Sequence, residues 1–396
     1  MKRYFKLFVL ITLFSVAVSC VSCRSSAGQD GNDDHKASAD MYFVDNVLYE
    51  FVVNKINISD GSVYVPCPDP LCTHTFDIST CPFSKCMSYI AEDGGKYLLY
   101  GAVTASDLTP IINCYDTENN KTELVYESKT GRSNYIIYGD GAFYFDVPQV
   151  KTVDGVLIRT TKCDVMRYDP SRKTLSKFGE MDEKDCPLFA EDGYVIYRSG
   201  ENGCVYRTTG SFDNSDIISL PSGHMYSPTD YWTVGRGFAA RCYSPAEIYM
   251  YNEDRIIDMP EQLDGKTITF VTRTGDNFYF NVSYGYNYGI GDDFKSEEDG
   301  LHFKNTVCLL DKNGEFHSYD VHSNYSFVTS KGYGHCIIGR VLYKYDNGEE
   351  LDENGFDATL IWIDLDTGRA VTYTNPGTTT FNIVTEEIPV IITENK

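Results

Sequence analysis

Tyr115-Asp-Thr-Glu-Asn-Asn-Lys-Thr-Glu-Leu-Val-Tyr126 reads as two short strands joined by a polar turn. An aromatic residue ends the first strand, an Asp and its Asn neighbours make the turn, and a run rich in β-formers follows. The same order recurs in Asn57–Val65, Tyr168–Phe178, Tyr251–Met259, Leu310–Tyr319 and Ile363–Tyr373, with a weaker copy in Val205–Leu220. The turn residues Asn57, Asp116, Asp169, Asn252, Asp311 and Asp364 are separated by 59, 53, 83, 59 and 53 residues, and the longest gap holds the weaker copy. Seven units result. Units of about 40–60 residues, each made of short strands and hairpin turns, are the signature of β-propeller blades, which bury their faces only against neighbours.

Outward from these turns the pattern holds. No segment after Met41 keeps a 3.6-residue apolar period over three turns, whereas short alternating stretches recur throughout. Strands are expected at 96–100, 135–138, 194–197, 278–280 and 336–339. The 31 Tyr and 22 Phe against 8 Met bias the chain toward pleated surfaces. The sequence therefore predicts an all-β protein, a β-propeller of about seven blades, with six or eight as alternative counts and a pair of β-sandwiches as the alternative architecture. Ring closure is expected from a strand near 41–51 pairing with the blade that holds the C-terminal 381–393.

Of the 396 residues, 34 are Lys or Arg and 57 are Asp or Glu, a formal charge of −23. Removal of Lys2, Arg3 and Lys6 with a leader takes this to −26. Such a surface repels phosphate backbones, so no nucleic-acid partner is expected.

The leader is read from residues 1–19. Lys2 and Arg3 precede a twelve-residue apolar run, Leu7–Val18, which is too short to span a bilayer as a helix at about 20 residues. Ala17-Val18-Ser19-Cys20 resembles a lipobox, which makes Cys20 the expected acylation site, ahead of Cys23, and the lipid bilayer an expected partner. Residues 20–40 read as a lipidated flexible tether rich in Ser, Gly, Asp and Ala, and residues 41–396 as the propeller. The expected location is the extracytoplasmic face of the cell membrane.

Four of the 13 cysteines fall in Cys67-Pro-Asp-Pro-Leu-Cys-Thr-His-Thr-Phe-Asp-Ile-Ser-Thr-Cys-Pro-Phe-Ser-Lys-Cys86. Thiolate and imidazole are the ligand set of tetrahedral Zn²⁺, and Cys67, Cys72, His74 and Cys81 would make a Cys₃His site with every position filled by protein, hence structural. Nearby prolines stiffen the loop. Disulfides Cys67–Cys72 and Cys81–Cys86 are the competing reading for an exported chain. The cysteines scattered along the repeats are expected to act as small buried hydrophobes.

The segment Cys67-x-Asp-Pro-x-Cys-x-His74, followed by Cys81-Pro-Phe83, resembles one found in lipoproteins of Gram-positive, clostridial-type gut bacteria whose repeats are similar to DUF5050 propeller domains. The resemblance implies an extracytoplasmic location and a propeller, and it brings no activity. Cys86 is extra to that pattern.

Tyr284, Tyr286 and Tyr288 lie on a Gly-rich insertion and are the candidate ligand-binding residues, since aromatic rings stack on sugars and clasp peptides. The acidic stretch Asp346–Glu353 lacks the EF-hand order and reads as solvated surface. No G-x-S-x-G, H-E-x-x-H, phosphate-loop or dinucleotide motif is found, and His302, His317, His322 and His335 read as structural or surface residues. The expectation is a binding module for a glycan, peptide or envelope protein. A carbohydrate-active enzyme using a dispersed carboxylate pair, and a metal- or redox-responsive surface protein, are the alternatives.

Overall fold

The structure is a computed structural model that describes most of residues 41–395. Residues 1–40, 45–53, 73–80, 105–108, 220–225, 259–266, 284–298, 353–357 and 375–383, some shorter stretches and Lys396 lie outside the described residues.

The repeated turn has one local construction. Asp116 Oδ1 accepts the backbone N–H groups of Glu118 and Asn119 at 3.1 and 3.0 Å, and Asn120 then takes a left-handed φ of +51°. Asp169 binds the N–H groups of Ser171 and Arg172 in the same way before Lys173 at +52°, and Asp364 those of Asp366 and Thr367 before Gly368 at +71°. Asn57 accepts from Ser59 before Gly61 at +74°. The carboxylate or amide satisfies the amides that the reversal frees, so the turn closes itself and the following strand pairs back.

Among the described residues the strands make seven antiparallel sheets, called here A to G in chain order. Sheet A has three strands within residues 41–64. Sheets B (86–127), C (136–182), D (186–217) and E (226–258) have four consecutive strands each. Sheet F takes four strands from 267–323 and adds Ile391–Asn395 at its edge, and sheet G has six strands from 325–387. The strands expected at 96–100, 135–138, 194–197, 278–280 and 336–339 overlap Tyr97–Val103, Ile136–Gly139, Tyr194–Arg198, Asn277–Ser283 and Cys336–Asp346.

The sheets stack face to face, and the two-residue period of a strand decides which neighbour each side chain meets. Leu99, Ile112 and Cys114 of B pack with Ile136, Phe143 and Phe145 of C. The intervening Ile137 and Tyr144 of C point the other way, onto Ala190, Val195 and Tyr197 of D. Sheets F and G meet through Tyr279, Val307 and Val321 against Phe327, Ile337 and Ile363. Ile338, Leu360 and Trp362, one register position away, face Ile56 and Ile58 of sheet A. Burial on both faces explains the near-continuous apolar strands. Sequential four-stranded sheets stacked in this way are the architecture of a β-propeller.

The expected closure is corrected. The N-terminal strand Met41–Val44 pairs with Asn54–Asn57, and the C-terminal strand Ile391–Asn395 pairs with Phe316–Ser323 of sheet F, so among the described residues neither supplies the shared strand. Sheet A instead closes on G by packing: Trp362 Nε1 donates to the carbonyl of Ile58 at 2.5 Å, and Tyr373 Oη to that of Gly61 at 2.6 Å.

Candidate metal centre

Six residues beyond Gly61 the chain reaches Cys67. Asp69-Pro70-Leu71-Cys72 forms a turn in which the N–H of Cys72 donates to the Asp69 carbonyl at 3.1 Å and Asp69 Oδ1 accepts the N–H of Leu71 at 2.9 Å. Pro70 presets the backbone for that reversal, which turns Cys72 back toward Cys67. The second anchor is Phe83, fully buried against Tyr115 at 4.8 Å and Tyr100 at 5.6 Å between ring centroids. Burying that ring contributes about 2 kcal/mol, and it carries Cys81, two residues earlier, onto the same face of sheet B as Leu98 and Tyr100.

The result is three sulfurs in one place. The Sγ atoms of Cys67, Cys72 and Cys81 all lie within 4.8 Å of one another, with Cys81 buried and the other two half-buried. All three are thiols, not half-cystines, so the bridges Cys67–Cys72 and Cys81–Cys86 are not made. Burial pushes the Cys67 thiol above its ordinary value, and the neighbouring Cys72 adds to the rise. Burial likewise raises Cys81, with Cys67 and Cys72 contributing. Against this, the backbone N–H of Asp69 is directed at the Cys67 sulfur and that of Phe83 at the Cys81 sulfur. Amides placed two residues beyond a cysteine stabilise its thiolate. Among the described residues this is the one group of three or more His, Cys, Asp or Glu side chains arranged to hold a metal ion. A tetrahedral Zn²⁺ with Zn–S bonds of about 2.3 Å places sulfurs about 3.8 Å apart, so the trio fits the ion after a contraction of at most about 1 Å.

Of the expected Cys₃His set, the structure brings together Cys67, Cys72 and Cys81. His74 lies outside the described residues, as do Cys20 and the aromatic group Tyr284, Tyr286 and Tyr288. Cys86 falls on the strand Cys86–Glu92. Three of the scattered cysteines depart from the expected role: Cys186 is disulfide-bonded, and Cys204 and Cys336 are free thiols that are only half-buried. Cys114, Cys163 and Cys308 are buried thiols, as expected of small hydrophobes.

Three of the four histidines of the last third meet carboxylates, and the fourth is buried. His302 Nε2 contacts Glu350 at 2.6 Å and its ring stacks on Tyr345 at 3.8 Å, His335 Nδ1 contacts Asp366 at 2.6 Å, His317 contacts Glu394 at 3.3 Å, and His322 is buried. Among the described residues the most completely enclosed carboxylate is one the sequence did not single out. Asp146, 1% exposed, accepts from Ser133 Oγ, Asn134 Nδ2 and the backbone N–H groups of Asn134 and Tyr135 at 2.5–3.1 Å. It pins the entry to sheet C.

No family model matches the chain, and no curated protein matches it. Solved structures to which it is similar include the Pyrococcus horikoshii acylaminoacyl peptidase, at 12% identity and a TM-score of 0.43 over 85% of this chain and 56% of that one. The β-propeller domain of the trilobed protease from Pyrococcus furiosus aligns at 10% identity and 0.42 over 79% of this chain and 90% of the domain. TolB from Acinetobacter baumannii aligns at 11% and 0.36 over 72% and 63%. The chain thus spans little more than half of the peptidase.

Proposed function

We propose that the chain is a lipid-anchored, extracytoplasmic β-propeller that serves as a binding module for a glycan, peptide or envelope protein. The observation that carries the reading is the stack of sheets buried on both faces, which leaves loops between strands as the surface free to vary. Loops on a rigid scaffold are where recognition concentrates. The segment with Tyr284, Tyr286 and Tyr288 connects Asn277–Ser283 and Phe303–Leu310, adjacent strands of sheet F. The lipobox-like Ala17–Cys20 supports the membrane tether, and the half-cystine at Cys186 supports an oxidising compartment. The finer reading of the thiol trio is a structural Zn²⁺ held by Cys67, Cys72 and Cys81, with His74 as the fourth ligand.

The test is to probe glycan and peptide arrays with the full chain and with the triple variant Tyr284→Ala, Tyr286→Ala, Tyr288→Ala. A ligand captured by the parent and lost by the variant at unchanged thermal stability is the expected result. Undiminished capture by the variant sinks the aromatic site. Turnover of a captured polysaccharide, abolished by one carboxylate substitution, replaces the binding module with an enzyme.

A further inference from the structure

Stacked sheets B to G leave two apolar faces without a neighbour in the stack: Leu98, Tyr100 and Tyr115 on B, and Ile338, Leu360, Trp362 and Tyr373 on G. One short run of chain covers both. Ile56 and Ile58 lie on G, and Cys67, Cys72, Cys81 and Phe83 lie on B. The link between them, Gly61 to Cys67, is six residues and reaches at most about 20 Å. Propellers need their first and last sheets joined, and a strand contributed from the far terminus is one way to remove the open edge. Here that route is closed, because the C-terminal strand is committed to sheet F. Among the described residues no strand of sheet A pairs with sheet B. Among the described residues, the joint on the B side consists of one buried ring, Phe83, and three thiols.

We propose that a Zn²⁺ ion bound by Cys67, Cys72 and Cys81 is the clasp that closes the ring, so that metal occupancy controls whether the first and last sheets stay joined. The inference rests on the zinc reading of the trio given above and adds its role. On binding, each thiol releases a proton to solvent as its sulfur–zinc bond forms, and the ion sheds the water it replaces; nothing is oxidised or reduced. Three sulfurs suit a metal better than a bridge, since one disulfide would leave the third thiol over. The turn at Asp69–Cys72 and the amides of Asp69 and Phe83 prearrange the sulfurs, and Phe83 holds the knot against Tyr100 and Tyr115. Without the ion, that face of B keeps one aromatic anchor among the described residues, and the strain of closure falls on the hydrogen bonds from Trp362 and Tyr373.

The experiment measures zinc per chain and amide hydrogen exchange on the full chain, as purified, after chelation and after zinc is returned. About one zinc per chain is expected. Chelation is expected to speed exchange on the order of tenfold in Tyr97–Val103 of B and Ala358–Asp364 of G together, with Ala142–Val153 of C unchanged and zinc restoring protection. Cys72→Ser should lose both the metal and the protection. Because the parent is compared with itself, a variant that fails to fold leaves the test intact. Absence of stoichiometric metal, with the trio oxidised, overturns the zinc reading and the clasp together. Bound zinc whose removal leaves exchange in sheet G unaltered overturns the clasp alone. Neither result depends on glycan or peptide capture, so the binding-module reading stands or falls separately.

Discussion

Tyr373 donates its hydroxyl to the carbonyl of Gly61 at 2.6 Å, tying together residues 312 positions apart in the chain. Gly61 sits at φ +74°, and a Cβ there would lie 2.8 Å from the Trp362 ring, so both conformation and space require glycine. Gly155 offers the control: its φ is +78° and nothing lies within 4 Å of its added Cβ. Gly155→Ala should cost about 1 kcal/mol from left-handed strain alone, whereas Gly61→Ala should cost about 2 kcal/mol more because the indole must move. Denaturant unfolding of both variants checks this. Equal losses would show that the A–G junction tolerates displacement.

Asp146 makes the second prediction. Its carboxylate gathers four donors at the start of sheet C, so Asp146→Ala strands the part-buried N–H groups of Asn134 and Tyr135 and should destabilise by about 2 kcal/mol. Asp146→Asn keeps one acceptor oxygen and should fall between that variant and the parent. A loss below about 0.5 kcal/mol for the alanine variant, within the range of ordinary surface changes, would refute the role.

The repeat was legible because its cause is local. An Asp or Asn that caps its own turn needs only the next three residues, so the motif survives in the sequence at Asn57, Asp116, Asp169 and Asp364. Closure was not legible, because it depends on which face Ile338 and Trp362 present to residues some 300 positions earlier, and strands buried on both faces carry no alternation to reveal it. The thiol trio was visible from clustered cysteines and the turn-forming Asp69-Pro70. Cys186 was not, since a bridge is chosen by tertiary proximity. Asp146, set between Phe145 and Val147, reads as the outward residue of an alternating strand; its burial follows from donors eleven to thirteen residues upstream.

The proposed leader yields a prediction independent of the fold. If Cys20 is acylated, Cys20→Ser should move the mature chain out of the detergent phase or leave an uncleaved precursor, and Cys23→Ser should change neither. Detergent partitioning with intact mass checks both. One acyl chain gives only marginal membrane binding, so a stable anchor requires more than one at the new N-terminus. Detergent partitioning that persists in Cys20→Ser and disappears in Cys23→Ser would move the anchor three residues on.

Two turn carboxylates contribute to the acid response. Burial opposes the charge on Asp116, but the side chain and backbone of Asn119 and the N–H of Glu118 outweigh it and hold the group below its ordinary 3.8. At Asp169, burial is likewise outweighed by hydrogen bonds from Ser171 and the N–H of Arg172. A depressed folded value means that these groups stabilise the fold above pH 3.8, and that the contribution is lost as pH falls through the lower folded values. The chain supplies its own neutral substitute, since Asn57 accepts the Ser59 N–H at 3.0 Å in the equivalent turn. Asp116→Asn and Asp169→Asn together should therefore leave stability near pH 7 within about 1 kcal/mol of the parent and flatten its decline below pH 4. Urea unfolding at stepped pH measures this, and a double variant that declines as steeply as the parent would assign acid sensitivity to other carboxylates.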